Sequence, residues 1–239
     1  KNTNSFPVPL SDKGDFFSHL NFTSDIKNDK KAHFIELVFP SILLARQQFE
    51  NEYNKTLRIN EAINQDKIIS ASDSLFIRKK FEEFNTKNLN ELLLKLKPHP
   101  ASLILAQAAL ESGWGTSRFF KEGNNVFGIW SFSSKDKRIK AKENREGQAI
   151  HVKKYDNLEE SISDYLMLLA RSSAYKKFRE KRIQTEDPLK LTPYLSKYSE
   201  LREEYVNNLN KVIRSNKMTR FDNFRIEPTF AIKDWHYKP

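Results

Sequence analysis

Glu111 has the clearest capacity for chemistry of any residue in this chain. It closes the run Ala101–Leu110, which is apolar nearly all round, and it is followed by Ser112-Gly113-Trp114-Gly115. A carboxylate at a helix C-terminus faces the negative end of the helix dipole, and apolar turns beside it remove water. Both effects favour the protonated acid. An acid that keeps its proton near neutral pH can protonate a leaving oxygen, as cleavage of a glycosidic bond requires. The two glycines let the backbone leave the helix sharply and open space before the carboxyl. Taken alone, Glu111 is one of 31 acidic residues, most of which are expected to be solvated charges.

The surroundings sharpen that reading. Asn124 and Asn125 offer paired amides suited to sugar hydroxyls or acetamido groups, and Asn125 is the one assigned to substrate. Trp114, Phe127 and Trp130 offer flat apolar faces on which pyranose rings can stack, with core packing as the competing role for Phe127. Tyr155 is grouped with them as substrate-binding. Trp114 has two candidate roles: stacking on a sugar, or plugging the wall behind Glu111 so that its carboxyl stays dry. The position so close to the helix end favours the plug.

The elements that must hold these residues follow from periodicity and punctuation. Residues 1–30 show no sustained period and read as an extended arm. Phe34, Val38, Ile42, Phe49, Tyr53 and Leu57 fall near one helical stripe over 31–60, with Pro40 starting or kinking it. Shorter helices are expected around 72–85 and 88–97, and Pro100 suits the first turn of a buried helix over 101–112. Five of the six glycines lie between Gly113 and Gly147, so irregular backbone is concentrated there. Val126–Phe132 and roughly Ala149–Tyr155 read as strands of a hairpin around a charged turn. Asn157 and Glu160 form a capping box for a helix carrying Ile162, Tyr165, Leu166 and Leu169. Asp187-Pro188 reads as a further cap. A last helix is expected to carry Leu201, Tyr205, Leu209, Val212 and Ile213, and the tail from Thr219 to run extended across the body.

Composition sets the limits. With 239 residues, 38% hydrophobic and 18 phenylalanines, the chain can bury a real core. No apolar stretch reaches the length of a membrane span. There is no cysteine, which excludes disulfides and thiol catalysis. The five histidines lack metal-type spacing, and neither a metal nor a cofactor is expected. A net charge of +10 suits an anionic polymer, but the basic residues are spread along the chain with no nucleic-acid motif, so no specific nucleic-acid binding is expected.

The stretches AQAALESGWGTS, NNVFGIW and VKKYDNLEESISDYL, in that order, resemble the family 73 glycoside hydrolases, bacterial N-acetylglucosaminidases of the lysozyme superfamily. FIELVFPSILLARQQFENEYNKTL, AYKKFREKR and YSELREEYVNNLNKVIRSN are similar to the layout of its Bax-type members. The likeness covers residues 98–216, and 31–97 more weakly. It implies a mainly α (α+β) architecture: an arm over 1–30, a helical extension over 31–97, a lysozyme-like domain with a small β-hairpin lobe over 98–218, and a packed tail over 219–239. It also implies cleavage of β-1,4 bonds in peptidoglycan, or a related N-acetylhexosamine polymer, by a monomer in the bacterial envelope, periplasmic or secreted. Glu111 falls on the family's general acid, and Tyr198 on a tyrosine of the cleft. Many members place a second glutamate in the β lobe. KENREG supplies Glu143 and Glu146, each of which taken singly reads as a solvated charge, and spacing from Glu111 favours Glu143. A lytic transglycosylase using the same acid and an inactive glycan-binding module are the alternatives.

Overall fold

The chain opens its described part with a long helix. Asn28 accepts a hydrogen bond from the Lys31 amide through its side chain, Asp29 adds a negative charge to the first turn, and α1 runs from Asp29 to Asn64. The computed structural model describes residues 4–6, 26, 28–145 and 148–226, with side chains for all of these except 4–6, 142–145 and 148. Pro40 lies inside α1 without ending it. Ile35, Val38, Phe39 and Ile42 are fully buried along one stripe of α1, as the sequence periodicity requires.

Among the described residues eight further helices follow: α2 (Ala71–Glu83), α3 (Leu89–Leu96), α4 (Ala101–Ser112), α5 (Arg118–Gly123), α6 (Leu158–Arg171), α7 (Lys176–Gln184), α8 (Pro188–Leu191) and α9 (Glu203–Ser215). Short 3-10 turns occupy Thr192–Tyr198 and Met218–Asn223. Asn157 caps α6 by accepting from the Glu160 amide, and the Glu160 carboxylate reaches back to the Asp156 amide. Asp187 caps α8, with Pro188 in its first turn. Leu201 is exposed and precedes α9, whereas Tyr205, Leu209 and Ile213 of the same expected stripe are buried.

Helix α4 lies at the centre. Ala101 to Ala109 are all buried, and α1, α9 and the 218–223 turn pack around it. Helices α1, α3, α4, α6 and α9 contribute to one continuous core. The fold is mainly helical, with one small antiparallel sheet.

That sheet departs from the expected one. Strand β2 is Arg138–Arg145, and it pairs with β3, Gln148–Lys153, in the register Arg138–Lys153 and Ile139–Val152, with an irregularity between Lys140 and Asn144. Val126–Phe132, expected as the first strand, is loop, held to the sheet by one bridge from Trp130 to Val152. Gly128 has φ +66, and the Asn125 side chain bonds both the amide and the carbonyl of Ile129, folding the segment back on itself. The tail also differs, with Met218 and Phe221 buried in a helical turn rather than extended. Strand β4, Phe224–Ile226, then pairs in parallel with β1, Asn4–Phe6. The rest of the expected arm and the tail beyond 226 lie outside the described residues.

Candidate active site

The last residues of α4 carry the site. Gly113 has φ +58 and ends the helix, with the Trp114 amide bonding back to the Ala109 carbonyl at 2.8 Å and the Gly113 amide to Leu110 at 3.3 Å. Trp114 (φ +57) and Gly115 (φ +76) continue in the left-handed region, so three successive residues turn the chain away from Glu111. A Cβ at Gly115 would lie 3.1 Å from the Phe34 ring and 3.2 Å from Phe120. Space as well as φ therefore favours glycine there.

Glu111 is half-buried, and burial pushes its pKa up from the ordinary carboxylate value to about 7. The Tyr205 hydroxyl donates to the carboxyl and acts in the opposite, smaller sense. Behind Tyr205 lies a buried relay. Gln107, one turn before Glu111 on α4, donates through Nε2 to Tyr205 Oη at 2.8 Å and accepts at Oε1 from the Tyr165 hydroxyl. Tyr198 stacks on Tyr205 at 5.9 Å between ring centres, and Tyr175 sits 6.3 Å from Tyr198. Burial, and then the nearby Glu111 charge, raise the hydroxyl pKa values of Tyr175, Tyr198 and Tyr205; Tyr165 is raised by burial first, with Tyr175 and Glu111 adding to it. Four phenols that keep their protons thus lie within electrostatic reach of one carboxyl. None of the groups shifting Glu111 is another acid among the described residues.

The other expected residues divide. Tyr198 belongs to the group around Glu111 and donates to the Phe127 carbonyl at 3.4 Å. Phe127 is buried and stacked on Tyr165 at 3.9 Å, so its ring packs the relay and offers no free face to a sugar. Asn125 is 1% exposed, and its amide nitrogen is committed to the carbonyls of Ile129 and Lys153 at 3.0 and 2.8 Å. It shapes the loop in place of the substrate contact expected of it. Tyr155 is buried and donates to Asp164 at 2.7 Å, also bound by Lys153, so its hydroxyl is a structural tie. Trp114 packs its ring edge-on to Phe34 at 5.6 Å, with the Lys31 ammonium 4.7 Å from its centre. The half-buried indole thus packs onto α1. Trp130 is 40% exposed and Phe132 89%, their rings 6.2 Å apart, so an open aromatic pair stands on the β lobe. Glu143 lies on β2, its side chain outside the described residues, and Glu146 is wholly outside them.

Sequence reasoning missed Gln107, Tyr165, Tyr175, Tyr205 and Phe132. Tyr165 and Tyr205 carry helical-stripe signals identical to those of core residues. The available hint was chemical: buried tyrosines need partners, and Gln107 interrupts an otherwise apolar helix.

Residues 87–218 match the family model described as mannosyl-glycoprotein endo-beta-N-acetylglucosaminidase (Glucosaminidase), which is more than half of the chain. The chain belongs to this family. Among curated proteins, this glucosaminidase family member is 34% identical over 103 residues to Protein bax of Escherichia coli K12, covering 42% of the chain and 35% of that protein. It is 40% identical over 87 residues to the peptidoglycan hydrolase FlgJ of Salmonella typhimurium, covering 32% of the chain and 28% of the relative. The chain therefore spans about a third of the length of these relatives. The catalytic domain of the autolysin Auto from Listeria monocytogenes is 26% identical, with a TM-score of 0.44 over 69% of this chain and 97% of that domain. That structural likeness is too loose to carry a role from one chain to the other. Glu111 and its tyrosines all lie within the matched region.

Proposed function

We propose that this chain hydrolyses β-1,4 glycosidic bonds in the glycan strands of bacterial peptidoglycan, as an endo-β-N-acetylglucosaminidase with Glu111 as general acid. The observation that carries the proposal is the state of Glu111: a carboxyl pushed up to about 7 by burial, at the open end of a buried helix, within a matched glucosaminidase region. Membership of the family and the likeness to the peptidoglycan hydrolase FlgJ support the substrate class. The exposed Trp130–Phe132 pair supplies the apolar surface on which pyranose rings pack. The +10 charge favours approach to an anionic wall, consistent with a place in the bacterial envelope.

In the reaction, Glu111 gives its proton to the glycosidic oxygen as the C–O bond breaks and an oxocarbenium-like sugar forms. Water then adds to the anomeric carbon and its proton leaves to a base. Glu143 on β2 is the protein's candidate for that base; alternatively, the substrate's own acetamido oxygen first attacks the anomeric carbon, and water then opens that cyclic intermediate. Closure to an anhydro sugar, as in a lytic transglycosylase, uses the same acid and is the other outcome.

The decisive experiment digests peptidoglycan with the wild type and with Glu111→Gln, and identifies the borohydride-reduced ends by mass spectrometry. Reduced glucosamine ends establish the glucosaminidase, reduced muramic ends a lysozyme, and anhydro-muramic ends a transglycosylase. Glu111→Gln keeps the shape but has no proton to give, so turnover is expected to fall about 10²–10⁴-fold. Full activity in a folded Glu111→Gln protein would refute the assignment.

A further inference from the structure

At the opposite end of α4 from Glu111, two buried guanidinium groups converge, with the Asp222 carboxylate acting on Arg46 from the same lining. Arg182 is 1% exposed and Arg46 7%, and neither forms an ion pair among the described residues. Arg46 donates through Nε to the His99 carbonyl at 2.7 Å. Arg182 donates through one terminal nitrogen to His99 Nδ1 and through the other to the Leu94 carbonyl at 2.6 Å. All three residues line a small cavity, together with Lys97 and Arg225.

The hydrogen-bond balance of this cavity is lopsided. Burial, followed by the charge of Arg182, holds His99 well below the ordinary imidazole value, so the ring is neutral. With Nδ1 accepting from Arg182, the ring proton must sit on Nε2. That N–H has no partner, and neither does the Arg182 Nε–H. Four cationic side chains, Arg46, Lys97, Arg182 and Arg225, border one space, against two acidic ones, Asp222 and Glu186. An excess of positive charge focused on one enclosed space favours an anion there. The two acids of the lining offset only part of that charge. Asp222 accepts from the Ser102 amide at 2.8 Å and from its hydroxyl at 2.7 Å, and it acts on Arg46 and Arg225 as well. Glu186 is exposed and reaches only Lys97, at 4.0 Å.

We propose that this cavity is a binding site for one oxyanion of the phosphate class, separate from the site at Glu111. Its volume of 40 Å³ accommodates about three water-sized groups, which is the bulk of a single tetrahedral oxyanion. Guanidinium groups present paired N–H donors that match such an anion. A cavity this small holds one anionic group, either free inorganic phosphate or a phosphate monoester carried by a larger molecule whose remainder stays outside.

The test is a ³¹P NMR titration of the whole chain with inorganic phosphate and, separately, with glycerol phosphate, at constant ionic strength, with thermal unfolding followed in parallel. Saturable binding of either, with a raised Tm that chloride does not reproduce, supports the site, and the preferred titrant tells a free anion from a carried one. Because Arg46 and Arg182 are buried and their replacement endangers folding, the variants are Arg225→Gln and Lys97→Gln at the cavity's rim. Each is expected to weaken binding about tenfold or more, in line with loss of a charged hydrogen bond, while Lys135→Gln on the distant β-lobe turn leaves it unchanged. No saturable response to either titrant, or affinities untouched in both rim variants, would overturn the proposal. Neither readout depends on glycan turnover, so it stands or falls independently of the assignment of Glu111.

Discussion

At the scale of single residues, the glutamate's chemistry depends on the balance between burial, which raises its pKa, and the Tyr205 hydroxyl, which lowers it. Removing that hydroxyl in Tyr205→Phe takes a donor from the charged form of Glu111, so its pKa rises further. A general acid works only while protonated, and the alkaline limb of the rate profile is therefore expected to move to higher pH, with the acid limb unmoved. The same substitution removes the acceptor of Gln107 Nε2, which is buried, and should cost about 1–3 kcal/mol of stability. A pH–rate profile of Tyr205→Phe checks the sign, and an alkaline limb that stays put or moves down would show that the hydroxyl does not act on the reacting carboxyl. Glu111 itself was legible in the sequence, because a bare acid closing an apolar helix before Gly-Trp-Gly is chemically unusual. Its partners were not. Tyr205 reads as one more apolar position on a helical stripe, and only the fold brings it back onto α4. Asn125 misled in the opposite direction: its exposed-looking amide is used by the backbone of its own loop.

At the scale of elements, the boundaries of α4 and the cap of α6 follow from local signals, while the hairpin does not. Strand β2 carries Ile139 as its single large apolar residue, so no alternation marks it, whereas Val126–Phe132 is apolar enough to imitate a strand until Gly128 and Asn125 fold it. The turn after α4 offers a quantitative test of what its glycines do. Gly115 and Gly128 both have positive φ, but a Cβ at Gly128 meets nothing within 4 Å, whereas at Gly115 it presses on Phe34 and Phe120. Gly128→Ala is expected to cost only the conformational strain, about 1 kcal/mol. Gly115→Ala should cost more, about 2–3 kcal/mol, since two buried rings must also give way. Denaturant unfolding of the two variants decides it, and equal losses would mean that the rings yield freely. Because Gly115 sets the exit from α4, its variant should also lower turnover, whereas loss of stability at Gly128 is not expected to change the setting of Glu111.

At the scale of the whole molecule, a site that holds acids protonated makes folding depend on pH. Glu111 and Glu159 are both pushed up to about 7, chiefly by burial. In the unfolded chain each returns to the ordinary value, so below about pH 4.5 both states carry the proton and nothing is gained or lost. Between there and about 7 the unfolded state releases its proton while the folded state keeps it, and the folded state loses stability as pH rises through that window. His99 works the other way, being held neutral when folded and free to charge below about 6.5 when unfolded, so its contribution improves as pH rises. The raw pH profile of Tm therefore mixes opposing slopes, and a difference isolates one group. Glu111→Gln cannot titrate, and whatever its amide costs in packing is the same at every pH. Its Tm minus that of the wild type should be flat up to about pH 4.5, then climb in the variant's favour until about pH 8, where Glu111 is fully ionised in the folded protein. The catalytic acid would then be an expense to the fold that the rest of the core offsets, as functional groups often are. Parallel Tm curves across the whole range would show instead that Glu111 titrates alike in the folded and unfolded chain, and the burial argued for its catalytic role would be gone with them.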